Sequence, residues 1–341
     1  MSRQRPSIED IARAAGVANS TVSRALHDSS LISAEVREHI QRLAGEMGYT
    51  PNGIAQSLQT KRTNTIGLVV TSIADPFFVD IVKGVEEVAR PAKLSIFLSA
   101  SYNDPEQEWE VIETFQRRRV DGIINASSRI GNRSMKQLAN VNLPTVLINH
   151  DAEAQYELLH SVSVDDYLGA HMAVDHLLQL GHRAVGYAGL SNRPRSNRRR
   201  LEGYRDALAS AGVPYRDTWV AIAPAADRLH EDDVVAGQAL LLPLLAAKVT
   251  AIFCYNDLTA IGVLMACHKL GIAVPQELSM IGFDNIAPVQ YVTPPLTTID
   301  QPKVRLGRLA MQMVLDLLAG RAVQNVVLPP VLVTRASTAE P

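Results

Sequence analysis

Ser7-Ile8-Glu9-Asp10-Ile11-Ala12-Arg13-Ala14-Ala15-Gly16-Val17-Ala18-Asn19-Ser20-Thr21-Val22-Ser23-Arg24-Ala25-Leu26 reads as two short amphipathic helices broken at one glycine. Ser7 caps the first helix and Asp10 closes the capping box, while Ile8, Ile11, Ala12 and Ala15 recur at helical spacing as one apolar face. Gly16 ends that helix, because a tight inter-helix turn demands the left-handed conformation that glycine tolerates. Val17, Val22, Ala25 and Leu26 give the second helix its inward side, which leaves Asn19, Ser20, Thr21, Ser23 and Arg24 outward. Short hydrogen-bonding side chains plus one guanidinium suit phosphates and, through Arg24, the O6 and N7 atoms of guanine. The pattern is a helix-turn-helix and points to DNA; a helical hairpin with a merely solvated face is the alternative, to be weighed against the rest of the chain.

A third helix is predicted with Ser33 as its cap and Val36, Ile40, Leu43, Ala44 and Met47 inward, ending near Gly48. Residues 1–50 therefore form a three-helix headpiece, too small to be very stable alone. Residues 51–63 open with Pro51 and close in a polar, basic run, which marks a linker with a helical turn or two inside it. The first 62 residues carry eight Lys or Arg (Arg3, Arg5, Arg13, Arg24, Arg37, Arg42, Lys61, Arg62) against six acids (Glu9, Asp10, Asp28, Glu35, Glu38, Glu46). The remaining 279 residues thus hold the negative charge of a chain whose net charge is −2, and positive charge is kept where DNA would dock.

From Thr65 onward short Val- and Ile-rich runs alternate with helical stretches. Strands are predicted at 65–72, 94–100, 122–126, 144–149, 161–164, 184–189, 218–222, 249–255 and 278–283. Helices are predicted at about 77–90, 106–118, 133–140, 167–180, 197–211, 232–246, 257–270 and 302–319. This alternation implies parallel sheets with helices on both faces, and its break around 150–165 implies two lobes. Ligands in such folds sit outside the carboxyl ends of the strands, which here carry a polar ring with two aromatics, suited to a hydroxylated small molecule. No apolar run is long enough to span a membrane and the amino terminus lacks a signal-peptide stretch, so a cytoplasmic protein is expected. Cys254 and Cys267 fit neither a disulfide framework nor a zinc site and read as core thiols. His171, His176 and His182 lack the spacing of a helical metal pair, and no cofactor-binding fingerprint occurs.

Many stretches in fixed order carry a resemblance: Asp10-Ile11-Ala12 with Gly16-Val17 and Thr21-Val22-Ser23-Arg24, Gly48-Tyr49-Thr50-Pro51-Asn52, Asp75-Pro76-Phe77-Phe78, Gly181-His182-Arg183, Arg200-Leu201-Glu202-Gly203-Tyr204, Gly282-Phe283-Asp284 and Thr293-Pro294-Pro295-Leu296-Thr297-Thr298-Ile299. Over essentially its full length the sequence resembles the lactose/galactose repressor (LacI/GalR) family of bacterial transcription regulators. The resemblance implies a non-enzymatic, cofactor-free homodimer, acting as a repressor, that reads a near-palindromic double-stranded operator with two headpieces. It places Asn19, Ser20 and Arg24 on base-reading positions, Thr21 and Ser23 on phosphates, and Ser7 among the DNA-contacting residues. It makes residues 51–59 a hinge helix that orders on DNA, with Leu58 as a minor-groove wedge and Ala55 and Gln59 on the same face. The core becomes a two-lobed, periplasmic-binding-protein-like fold with parallel sheets over 64–341. Its N-lobe is expected at about 64–164 plus 301–325, and its C-lobe at about 165–300 plus 326–341. A sugar or similar effector is expected between the lobes, held by Phe77, Phe78, Asn125, Asn149, Ser196, Arg200, Asn256, Asp284 and Gln301, its binding changing operator affinity.

Three departures from the family pattern matter. Ala18 stands where a serine usually caps the recognition helix, a loss of about 1 kcal/mol unless Asn19 takes over and so becomes less free to read bases. Gly53 adds about 1 kcal/mol to hinge-helix formation relative to alanine, so Gly53→Ala is expected to tighten operator binding. Asp232 stands where the family has an aromatic, so the stacking wall is either missing there or supplied by His230. Arg193, Arg195, Arg198, Arg199 and Arg200 lie across the same mouth, and read either as a site for an acidic or phosphorylated effector or as a solvated face. An enzyme or a solute-binding importer on the same core are the rivals; the sequence offers no catalytic motif for the first, and for the second it lacks a secretion signal and carries a headpiece that importers do not need.

Overall fold

The capping box forms as its spacing dictates. In the computed structural model Ser7 Oγ accepts the Asp10 N–H at 3.2 Å, Asp10 Oδ2 accepts the Ser7 N–H at 3.0 Å, and α1 (Ile8–Ala15) follows. The structure describes residues 6–50, 62–126, 138, 140–150, 159–191, 193–224 and 233–341. Gly16 at φ 64° turns the chain into α2 (Asn19–Leu26), and Ser33 caps α3 (Ala34–Glu46). Ile11, Ala12, Val22, Ala25, Ile40 and Ala44 are buried at the centre of these helices. Val36 corrects the expectation for α3: it stays at the surface, because Ile32, just ahead of the helix, packs onto the small core instead. The hinge positions Gly53, Ala55, Leu58 and Gln59 lie outside the described residues, as do His230, Asp232 and nearly all of the helix expected at 133–140.

The chain forms two compact units, one ending at Thr63 and the other running from Asn64 to Pro341. The second unit opens with β1 (Thr65–Val70), α4 (Pro76–Ala89), β2 (Ser95–Ala100), α5 (Pro105–Arg117), β3 (Gly122–Asn125), β4 (Thr145–Ile148) and β5 (Leu159–Val164). It continues with α6 (Asp166–Gln179), β6 (Val185–Leu190), α7 (Pro194–Ser210), β7 (Val220–Ala223), α8 (Asp233–Ala246), β8 (Ala251–Cys254), α9 (Asp257–Leu270), β9 (Ser279–Asp284) and β10 (Thr297–Asp300). It closes with α10 (Lys303–Leu318), β11 (Val326–Leu328) and β12 (Val331–Val333).

Two six-stranded sheets result, ordered β11-β5-β4-β3-β1-β2 and β12-β10-β9-β8-β6-β7. All neighbours are parallel except β10 and β12. Helices cover such sheets on both faces, and that is why their strands are continuous apolar runs. The chain crosses between the lobes after β5, after β10 and between β11 and β12. This last crossing corrects the expected boundary: Val326–Leu328 pair with β5 and so belong to the first lobe, and the change of lobe comes at Pro329-Pro330.

Within each lobe the helices approach at backbone distance. A Cβ added to Gly84 of α4 would lie 2.1 Å from the Val304 carbonyl oxygen of α10, and one on Gly307 of α10 would lie 2.1 Å from that of Ile81. In the second lobe Gly237 of α8 and Gly262 of α9 repeat the arrangement, at 2.1 Å from Thr259 O and 2.0 Å from Val234 O. The carboxyl terminus seals this lobe: the buried His182 ring bonds Thr250 Oγ1 at 2.8 Å and Ala339 O at 2.9 Å. Cys254 and Cys267 are buried free thiols. No helix among the described residues is long and apolar enough to cross a membrane.

Candidate functional site

Helix α2 sorts its side chains as its periodicity requires. Val22 and Ala25 are buried, Thr21 and Ser23 half-buried, and Asn19, Ser20 and Arg24 exposed. Ala18 is the extended residue before the helix and supplies no side-chain acceptor. The Asn19 side chain forms no hydrogen bond with any described residue, so it does not take over the cap and is left outward. The face can therefore offer Asn19 and Arg24 to base edges while uncapped first-turn N–H groups remain for phosphate oxygens. Ser7 sits at the start of α1, exposed, with its hydroxyl donating to Asp10 Oδ2 at 2.7 Å.

The second site is a cleft between the two lobes enclosing about 430 Å³ of free space open to solvent. Phe77 and Phe78 enter it from the first turn of α4, 5.2 Å apart and edge to face. They are placed there by Asp75, whose Oδ1 caps α4 by accepting the Phe77 N–H at 2.9 Å. Asn149, at the end of β4, adopts φ 56° and ties three segments: its Nδ2 donates to Gln301 Oε1 at 3.1 Å and its Oδ1 accepts the Val164 N–H at 3.1 Å. Gln301, on the second crossover, in turn donates to Asp284 Oδ1 at 2.6 Å. Asp284 ends β9 with φ 114°, and Lys303 Nζ holds its carbonyl oxygen.

Arg200 is fixed on every side. Its Nε donates to Asp166 Oδ1 at 2.9 Å, Nη1 to the Tyr255 carbonyl at 2.5 Å, and its guanidinium lies 3.7 Å from the centre of the Phe283 ring. Asp284 Oδ1 is 3.8 Å from its Nη2. Burial pushes the Asp284 carboxyl up to about 6 against the pull of Arg200, while Asp257 beneath it, which accepts from Thr298 Oγ1 and the Ile286 N–H, is raised to about 8 by burial and the nearby Asp284. Burial alone would lower Arg193 and Arg200, but the facing carboxylates outweigh it and both stay charged.

The basic run separates into two groups. Arg198 and Arg199 pair outward with Glu202 at 3.8 and 2.8 Å. Arg193 meets Asp75 at 3.2 Å and Asp233 at 3.7 Å, and Arg195 meets Asp166 at 3.5 Å. Three guanidinium groups (Arg193, Arg195, Arg200) thus face four carboxyl groups (Asp75, Asp166, Asp233, Asp284) in and around the cleft, and none of the three is left without a carboxylate partner.

Of the nine effector candidates, Phe77, Phe78, Asn149, Ser196, Arg200, Asp284 and Gln301 line the cleft, and Asn125 and Asn256 do not. Asn125 is buried and donates to Glu108 Oε1 at 2.8 Å. Asn256 caps α9 through Thr259 N at 2.9 Å and donates to Asp233 Oδ2 at 2.6 Å. Thr71, Ala126, Ile148 and Tyr255 also line it; they end apolar strands and carried no polar signal beyond that position, whereas Arg193 was visible in the basic run.

Residues 7–52 match the family described as bacterial regulatory proteins, lacI family, and residues 174–338 match a periplasmic binding protein-like domain. The chain is 32% identical over 338 residues to the ribose operon repressor of Haemophilus influenzae, covering 97% of this chain and 98% of that protein. It is similar to the solved lac repressor dimer bound to operator and the anti-inducer ONPF, with a TM-score of 0.85 and 27% identity, covering 98% of this chain and 100% of the other. The transcriptional regulator CelR in complex with cellobiose has a TM-score of 0.72 and 27% identity, covering 98% and 100%.

Proposed function

Because the chain belongs to the lacI family of bacterial regulatory proteins, and is a sequence-specific DNA-binding regulator, we propose that it is a cytoplasmic, homodimeric repressor of sugar metabolism whose cleft takes an uncharged sugar. Asn19, Ser20 and Arg24 read base edges of each operator half-site, with Thr21, Ser23 and Ser7 on the backbone. Leu58 of the hinge wedges the minor groove with Ala55 and Gln59 alongside. In the cleft Phe77 and Phe78 supply an apolar wall, and Asn149, Ser196, Arg200, Asp284 and Gln301 supply hydrogen bonds for hydroxyl groups.

The observation that carries this reading is the charge balance of the cleft. Both arginines that line it, Arg193 and Arg200, already have carboxylate partners, so among the described residues a phosphate would find Asp284 and no unpaired cation, whereas hydroxyl groups need only donors and acceptors. The sugar named for the ribose operon repressor and the cellobiose bound to CelR support the same ligand class. A thermal-shift screen of neutral sugars against their phosphates tests it, since a ligand at about a hundred times its Kd adds roughly 2.7 kcal/mol. Neutral sugars are expected to raise the Tm and to change operator affinity at fixed salt. A sugar phosphate that binds more tightly than its parent sugar refutes the proposed ligand class.

A further inference from the structure

Two buried polar atoms of cleft-lining residues have no hydrogen-bond partner among the described residues, Thr71 Oγ1 from the first lobe and Arg193 Nε from the second. Buried donors without partners are rare and demand an explanation. Arg193 stands directly ahead of α7 and its side chain is only 13% exposed. Its Nη2 reaches across the mouth of the cleft to Asp75 Oδ2, the same carboxylate whose other oxygen caps α4 and so positions Phe77 and Phe78. It also faces Asp233 at the start of α8, at 3.7 Å. One guanidinium therefore touches both lobes and, on a residue of the cleft lining, keeps an Nε–H that no described residue accepts.

We infer that Arg193 is the residue through which the cleft senses its ligand: Nη2 latches the second lobe to Asp75 of the first, and Nε donates to an uncharged oxygen of the bound molecule. The inference rests on the cleft being the effector site and adds the side chain that couples occupancy to lobe closure. With its charge already matched by Asp75 and Asp233, Arg193 acts as a directed donor and selects a hydroxyl or ring oxygen over an anion. A ligand that engages Nε stiffens the same group that holds the lobes together, so it binds the closed arrangement better than the open one. Such differential contact is what a conformational effect requires.

The latch is tested on the full-length chain without any sugar, by hydrogen–deuterium exchange over 75–79 and 193–198. Asp75→Asn keeps an oxygen to cap Phe77 but replaces the carboxylate oxygen facing Arg193 with an NH2 group, so both the charge and the acceptor of the latch are lost, and Arg193→Met removes the guanidinium. Each is expected to raise exchange on both walls of the cleft by about fivefold, with the double variant no worse than the more exchanging single, because one contact is lost in all three. Wild-type exchange on both walls in both variants overturns the latch.

The donor role is tested with D-ribose and cellobiose as probes, using Arg193→Lys, which keeps a cation opposite Asp75 but has no Nε–H. Lobe exchange is expected to stay near wild type while affinity for the shifting sugar falls about tenfold, the loss of one charge-assisted hydrogen bond. Unchanged affinity overturns the Nε assignment. A wild-type protein that neither sugar shifts removes the sugar-donor assignment, while the exchange measurement still decides the latch.

Discussion

Asn19→Ala separates reading DNA from holding a helix together. Asn19 is the first residue of α2, exposed and without a hydrogen bond to any described residue, and Ala18 before it is extended at φ −73° and ψ 151° with no side chain to cap. Removing the Asn19 carboxamide therefore costs the headpiece no internal bond, and alanine's better helix propensity adds roughly 0.5 kcal/mol. If Asn19 makes a bidentate contact to a base, operator affinity falls by about 1–3 kcal/mol, or roughly 5- to 150-fold. The companion change Ala18→Ser restores an N-cap acceptor worth about 1 kcal/mol. In a domain of this size that corresponds to a Tm rise of roughly 4–8 °C.

Both tryptophans, Trp109 and Trp219, lie in the second unit, so fluorescence follows only that unit and headpiece stability is best read by amide exchange over residues 8–46. Operator binding is followed by fluorescence anisotropy at one salt concentration, because phosphate contacts make affinity strongly salt-dependent. The expected outcome is weaker operator binding in Asn19→Ala at unchanged or slightly higher headpiece stability. A headpiece destabilised by about 1 kcal/mol in Asn19→Ala, rescued by Ala18→Ser, refutes the reasoning, since it makes Asn19 the cap. Operator affinity unchanged in Asn19→Ala removes it from the base-reading set.

Gly84→Ala places a methyl group 2.1 Å from the Val304 carbonyl, so α4 and α10 must separate; a loss of about 2–3 kcal/mol in urea unfolding is expected, and a neutral result means the helices slide freely. The raised carboxyls of Asp284, at about 6, and Asp257, at about 8, favour the protonated folded state, so their contribution to stability is full below about pH 4 and is lost as pH rises through 6 and 8. Asp257→Asn, which can donate to Thr298 and accept from the Ile286 N–H, should flatten that decline between pH 6 and 8 in urea titrations. Sugar affinity should run the other way, weakening in calorimetry from pH 7 to 5 as Asp284 loses its carboxylate. Burial lowers the His182 pKa, so the neutral ring's contribution is present above the unfolded value of about 6.5 and lost as pH falls below it; amide protection factors over 336–340, corrected for the intrinsic exchange rate at each pH, should be lower at pH 5.5 than at 7.5.

The headpiece was legible because its signals are local. Capping residues three apart and a glycine at a helix end act within one turn, and Ser7, Asp10 and Gly16 do what their spacing requires. Most of the first nine strands were legible because a strand buried on both faces is an apolar run, and the more exposed edge strands β2 and β7 are still rich in Ile, Leu, Phe, Val and Ala. β10 was not, because Thr297 and Thr298 are buried polar residues whose hydroxyls are satisfied by the Arg335 N–H and by Asp257, partners about forty positions away. β11 and β12 are three residues each around Pro329-Pro330 and pair with strands far back in the chain. In the cleft, the strand-end rule located Asn149 and Asp284 but could not separate them from Asn125 and Asn256. All four are polar residues at strand ends, and only tertiary partners show that Asn125 is taken by Glu108 and Asn256 by its own helix and Asp233. The arginine run posed the same problem with charge, since carboxylates from four separate segments neutralise it.

The same packing explains why the cleft is the place where ligand energy becomes motion. Gly84 with Gly307, and Gly237 with Gly262, bring helix backbones into contact inside each lobe, so neither lobe can deform without separating whole helices. Close-packed interiors respond to such loads by moving as bodies. The covalent links between the lobes are three short crossovers, and Gln301 on the second of them already joins Asn149 of one lobe to Asp284 of the other. A ligand that engages Asn149, Gln301 and Asp284 therefore acts on the hinge itself, while Arg193 and Asp75 set how far the mouth is closed before it arrives. A coupling of about 1–3 kcal/mol, the usual range between linked sites, requires only one or two hydrogen bonds made in the closed arrangement and absent in the open one. Arg193 Nε and Thr71 Oγ1, on cleft-lining residues of the two lobes and without partners among the described residues, are the atoms we assign to make them.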